Sequence, residues 1–121
     1  MKLNEQPKPE RSKNSKIITT QLVFSDPLPI LETSKREICK ILNERLRKGF
    51  KNYGVHLCTF NGRDAVQDLI EEISDAVLYL EQAIEETNNK FEEIEKLIEI
   101  KEDLFSIFER ILELKNSKGA K

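Results

Sequence analysis

Between Asn61 and Glu86 the apolar residues Val66, Leu69, Ile70, Ile73, Val77, Leu80 and Ile84 recur every three or four positions. That spacing puts them on one stripe of an α-helix. Asn61 is the expected N-cap, with Asp64 placed favourably for the helix dipole, and the helix is expected to reach about Thr87. Asn88-Asn89 then breaks it. A second long helix is expected from about Lys90 to Asn116, with Phe91, Ile94, Ile98, Phe105, Phe108 and Leu112 on one seam. Leu97, Leu104, Ile107, Ile111 and Leu114 widen that seam beyond what one antiparallel neighbour covers, so the Leu104–Leu114 half is expected to meet another subunit.

Upstream, Ser34 and Glu37 form the capping-box pattern S-x-x-E, which opens a helix from about Lys35 to Lys51. Ile38, Ile41, Leu42, Leu46, Phe50 and Tyr53 supply its apolar stripe, and Gly54 lies where a C-terminal cap belongs. Ile17 to Phe24 is β-branched and apolar, either a short strand or an extended arm laid over a helix groove. Asp26-Pro27-Leu28-Pro29 breaks any regular element. Residues 1–16 are polar, contain Pro, and carry five basic residues against two acids, so they are expected to be flexible. The pattern predicts an all-α protein. It is an antiparallel bundle of about three helices over residues 34–117, with a flexible or extended N-terminal arm over 1–33, a tail over 118–121, and a core completed by oligomerisation.

Composition supports that picture and narrows the function classes. A chain of 121 residues with 38% hydrophobic and 35% charged residues, and no Trp, suits one helical domain with a thin core. A thin core is readily completed by a second copy, so a homo-oligomer, dimer or tetramer, is expected. The net charge of −2 argues against general affinity for nucleic acid, although the basic N-terminal segment alone suits an acidic partner. Two cysteines, Cys39 and Cys58, make no disulfide scaffold, and the lone His56 rules out a multi-histidine zinc site. The N-terminal residues hold no apolar leader core and no run of 18 apolar residues exists, so the expectation is a soluble cytoplasmic protein without membrane association.

Charge is segregated along the chain. From Asp64 to Asn89 there are eight acids and no Lys or Arg. Asp68, Glu71, Glu72 and Asp75 lie at i, i+3, i+4 and i+7, on the face opposite the apolar stripe. Like charges at that spacing cost roughly 0.2–0.5 kcal/mol per pair, so a compensating cation must come from outside the helix. It is either a hard divalent metal or the basic helix upstream, whose seven cations (Lys35, Arg36, Lys40, Arg45, Arg47, Lys48, Lys51) face only Glu37 and Glu44. Mg²⁺ favours oxygen ligands, and a metal bridging to phosphates with cations nearby is the apparatus of phosphoanhydride cleavage.

The stretch Glu71-Glu72-Ile73-Ser74-Asp75-Ala76-Val77-Leu78-Tyr79-Leu80 resembles the second metal motif, E-x-x-D followed by an apolar helix, of the all-α NTP pyrophosphohydrolases. Tyr53-Gly54 and Asn61-Gly62-Arg63-Asp64-Ala65 extend the likeness to a MazG-like pattern of small phage and bacterial proteins, over roughly residues 35–87. The resemblance implies a helical oligomer that binds Mg²⁺ (or Mn²⁺) and cleaves a nucleoside triphosphate to monophosphate and pyrophosphate. On matching positions Glu72 and Asp75 are metal ligands. Asp68 shares their face as a further ligand, and Glu71 with Glu72 is assigned to catalysis. Arg63, Lys48 and Tyr79 are the candidates for substrate binding. The family's earlier E-E-x-x-E motif is represented here only by Glu37 and Glu44; alternatively Glu71-Glu72-x-x-Asp75 plays that part, with Glu99 or Glu102 contributing the second. The competing expectation is a non-catalytic helical oligomer or adaptor that keeps the fold with a degenerate metal site.

Overall fold

A computed structural model describes residues 6–25, 33–88 and 90–119. It is all-α: four helices, α1 (Thr20–Phe24), α2 (Thr33–Tyr53), α3 (Ala65–Glu86) and α4 (Phe91–Gly119), with one isolated antiparallel bridge between Ile17 and Cys58 among the described residues. The chain divides into two compact units, residues 5–63 and residues 64–121.

In the first unit the N-terminal arm is tied down. Its backbone runs beside the loop after α2: Ile18 N–H donates to Leu57 O, Thr59 N–H to Lys16 O and Glu10 N–H to Asn61 O, each at 2.9 Å. Side chains add to the tie, with Ser12 Oγ donating to Phe60 O at 2.9 Å and Arg63 Nη1 to Pro7 O at 2.7 Å. The segment expected to be flexible is therefore, from Pro7 to Lys16, a strap with a turn at Lys13-Asn14. Half-buried Ile17 and Ile18 anchor it, and Cys58, the partner of Ile17 in the bridge, is buried.

The Ile17–Phe24 segment, expected as a short strand or an extended arm, makes a single bridge through Ile17 and turns helical from Thr20. Thr19 caps a short helix instead, its Oγ1 accepting from Leu22 N–H at 3.2 Å, and Ser25 ends it in the left-handed region at φ 62°. A β-branched run forms no strand where the segment beside it is an irregular loop.

α1 packs on α2. α2 begins at Thr33, so Ser34 lies inside the helix and is not its cap; Thr33 Oγ1 accepts from Arg36 Nη2 at 3.1 Å. Gly54 closes the helix as expected, at φ 75° with its N–H donating to Phe50 O at 2.8 Å. Only glycine enters that conformation without a Cβ penalty. Cys39 is buried on the inner side of α2 and Leu42 and Leu46 are half-buried, while Ile38, Ile41 and Tyr53 are exposed. The break expected at Asp26–Pro29, and Asn89 of the Asn88-Asn89 break, lie outside the described residues.

The second unit is an antiparallel hairpin of α3 and α4. Lys101 Nζ donates to Glu81 Oε1 at 2.9 Å and Lys115 Nζ to Gln67 Oε1 at 2.8 Å. A step of 14 residues along α3 is thus matched by 14 residues back along α4. Fourteen residues make two heptads, so both pairs mark one seam of coiled-coil type. The seam positions are half-buried: Val66, Ile70, Ile73, Val77, Leu80 and Ile84 on α3, and Ile94, Leu97, Lys101, Leu104, Phe108 and Ile111 on α4.

Cys39, Cys58 and Thr20 are the buried side chains among the described residues, and the hairpin contributes none of them. No described helix is long and apolar enough to cross a membrane.

Candidate active site on the acidic face of α3

The register of the acidic face is fixed by the helix start. Asp64 caps α3, its Oδ1 accepting from Val66 N–H at 3.0 Å and Gln67 N–H at 3.1 Å. This corrects the expectation for Asn61. Its Oδ1 accepts from Arg63 N–H at 3.1 Å in the loop ahead of the helix, where Phe60 (φ 51°) and Gly62 (φ 85°) are left-handed. A sequence with both Asn61 and Asp64 offers two caps. The left-handed Gly62 between them turns the chain first, so the later acid takes the role.

From that start the four carboxylates fall on one side of α3, away from the seam. Asp68 and Glu71 are half-buried, whereas Glu72 and Asp75 are exposed. Glu71 Oε2 accepts from Gln67 Nε2 at 3.2 Å, which orients it along the helix. Among the described residues no ion pair involves Glu71, Glu72 or Asp75. Nor do three or more His, Cys, Asp or Glu side chains converge there on a metal-sized site. What one chain presents is an open pair, Glu72 and Asp75, one turn apart, with Asp68 and Glu71 beside them.

The remaining candidates fall as follows. Tyr79 continues the acidic face of α3 and is 68% exposed. Glu99 and Glu102 are exposed on α4. Lys48 is exposed on α2, and Arg63 in the loop holds the N-terminal strap through Pro7. On α2 Glu44 pairs with Arg47, and Glu37 is exposed. His56 stacks on Phe50, ring centroids 4.1 Å apart, and serves the loop's packing. Cys39 and Cys58 are free thiols, both buried.

Residue-level reading of the sequence missed the cations that reach α3 from α4. Lys101 contacts Glu81 across the seam and holds that carboxyl below the usual range, chiefly by its hydrogen bond; a hydrogen bond involving Glu85 adds to the effect. The signal was present in the heptad spacing of Ile94, Lys101 and Phe108, which places a lysine at a seam position. Neither family models, nor curated proteins, nor solved structures give a match to this chain.

Proposed function

We propose that the chain is a Mg²⁺-dependent nucleoside triphosphate pyrophosphohydrolase of the MazG-like kind, acting as a homo-oligomer. The observation that supports this most is the Glu72–Asp75 pair: exposed, one turn apart, on a helix without Lys or Arg, and in no ion pair among the described residues. Mg²⁺ is usually held by one or two protein carboxylates, with water and substrate phosphates completing its shell. Two open carboxylates therefore fit the donor set of such an ion without a third protein ligand. When bound, the ion lowers the pKa of its water and offsets charge on the phosphates.

In this reading Glu72 and Asp75 hold the ion and Asp68 supplies a further oxygen on the same face. Glu71, oriented by the Gln67 amide, takes the proton of the attacking water. Tyr79, exposed one and two turns beyond the acids, offers a face on which a base can stack. Water adds across the bond between the α and β phosphates and leaves nucleoside monophosphate and pyrophosphate. The chemistry needs no Ser, Cys or His nucleophile, in keeping with buried thiols and a histidine stacked on Phe50.

A second reading, a non-catalytic helical oligomer or adaptor, draws on one observation: no trio of ligating side chains closes among the described residues. Melting in the presence of Mg²⁺ and a non-hydrolysable nucleoside triphosphate separates the two. Ligand at 100 times its Kd stabilises by about 2.7 kcal/mol, a shift of several degrees. The enzyme reading expects that shift in the wild type and its loss in Glu72→Gln and Asp75→Asn. A wild type whose Tm ignores both ligands supports the adaptor.

A further inference from the structure

The whole-chain charge of −2, which speaks against affinity for nucleic acid, is an average over two unlike halves. Residues 5–63 hold 12 bases and 6 acids, whereas residues 64–121 hold 16 acids and 7 bases, a net charge of −9. In the first unit the basic excess is arranged in a row. Arg36, Lys40, Arg47 and Lys51 lie at i, i+4, i+11 and i+15 on α2, which puts them on one side of the helix. The row is about 22 Å long, the rise of about six nucleotides in a stacked strand. Glu44 pairs with Arg47, while Lys40 and Lys51 are exposed and make no ion pair among the described residues.

A second group of cations comes from the strap. Arg11, Lys13 and Lys16 are exposed, and the strap lies along the loop that leaves α2. Ser12 Oγ donates to Phe60 O there, and Lys16 N–H donates to Thr59 Oγ1 at 2.8 Å. Aromatic rings stand among these charges. The last turn of α2 carries Phe50 and Tyr53 and the loop carries Phe60, which are 43%, 61% and 74% exposed. Phe60 is the informative one. Its φ of 51° strains any residue with a Cβ, and its exposure returns little burial. Neither backbone nor packing accounts for a ring at that position, so its use lies outside the fold.

We propose that residues 5–63 bind single-stranded nucleic acid, the phosphates on the α2 row and the strap cations, the unpaired bases stacked on Phe60 and Tyr53. The inference goes beyond the reading above and stands without it, since no residue of α3 takes part. Cations that track a backbone, with exposed rings among them, suit a single strand because every linkage carries a charge and every base offers a π-face. A duplex keeps those faces stacked inside, out of reach of the rings. An anionic membrane would take up the apolar side of a basic helix. That side of α2 is turned into the unit, with Cys39 buried and Leu42 and Leu46 half-buried.

The test is fluorescence anisotropy of labelled oligothymidylate and oligouridylate, each of about 16 nucleotides, in EDTA so that the outcome is independent of any metal site. The wild type is expected to bind, more weakly as salt rises. Replacing Lys40 and Lys51 together by Ala should lower the slope of log K against log salt by about 0.7 per lysine. Phe60→Gly should weaken binding at least fivefold with helicity retained, since the backbone at that position already suits glycine. If Phe60→Gly loses helicity, Tyr53→Ala carries the comparison. Binding of either strand supports the proposal, and the tighter of the two identifies DNA or RNA. A wild type that binds neither strand overturns it. So does an unchanged salt slope in the lysine variant, or ring variants that bind like wild type. A matched duplex or phosphatidylserine vesicles that compete as well as the single strand also overturn it, because charge alone would then account for the binding.

Discussion

Asp64 accepts two backbone amides that α3 would otherwise leave unpaired at its start. Replacing it with Ala should cost about 1 kcal/mol, read as a lower Tm or denaturant midpoint, and Asn61→Ala should cost less because its bond lies in the loop. Equal losses would contradict the assignment of the cap. Phe60 sits at φ 51° and is 74% exposed, a left-handed conformation held by the strap rather than by burial. Phe60→Gly should therefore stabilise the protein, by up to about 1 kcal/mol in chemical denaturation, since a Cβ in that region costs roughly 1–2 kcal/mol. Destabilisation would mean that the ring contributes packing. Gly54 was legible because a glycine after the last apolar repeat has few other uses. The cap of α3 was ambiguous because Asn61 and Asp64 both suit the role, and only the backbone of Phe60 and Gly62 decides between them.

At the scale of elements, the apolar repeat gave α3 and α4 to within one to three residues at each end, because each helix buries a continuous stripe against its partner. It failed for Ile17–Phe24 and for the N-terminal strap. Residues 7–18 are held by backbone hydrogen bonds to an irregular loop, which leave no periodic trace in side-chain chemistry, and Thr20–Phe24 is a short helix set by its Thr19 cap. The bond between Lys101 and Glu81 yields a pH prediction. Glu81 titrates below the usual carboxylate range in the folded chain, so its stabilisation is present above the unfolded-state pKa and fades as pH falls through the folded one. Glu81→Gln should melt slightly below wild type at neutral pH, the small difference fitting an exposed pair, and the two curves should converge in acid. A gap that persists unchanged at low pH would show that packing, not charge, sets it.

For the whole molecule, the all-α class was legible, while the division at Arg63/Asp64 was not, since no Pro- or Gly-rich linker marks it. What does mark it is charge. Residues 5–63 hold 12 bases and 6 acids, against the net −9 of the remainder from Asp64 onward. The acidic face of α3 belongs to that negative half and keeps Glu72 and Asp75 open. The helix dipole does not stabilise Glu72 and Asp75, which lie beyond the first turn, so in the proposed reading the cation that offsets them comes from solution.

The most direct measurement is pyrophosphate release from a panel of standard and modified (d)NTPs with Mg²⁺ or Mn²⁺. The account predicts metal-dependent release with at least one of them, abolished by chelation and reduced at least a hundredfold in both Glu72→Gln and Asp75→Asn while the helical fold is retained. A folded wild-type protein that releases no pyrophosphate from any member of the panel, with either metal, would contradict it.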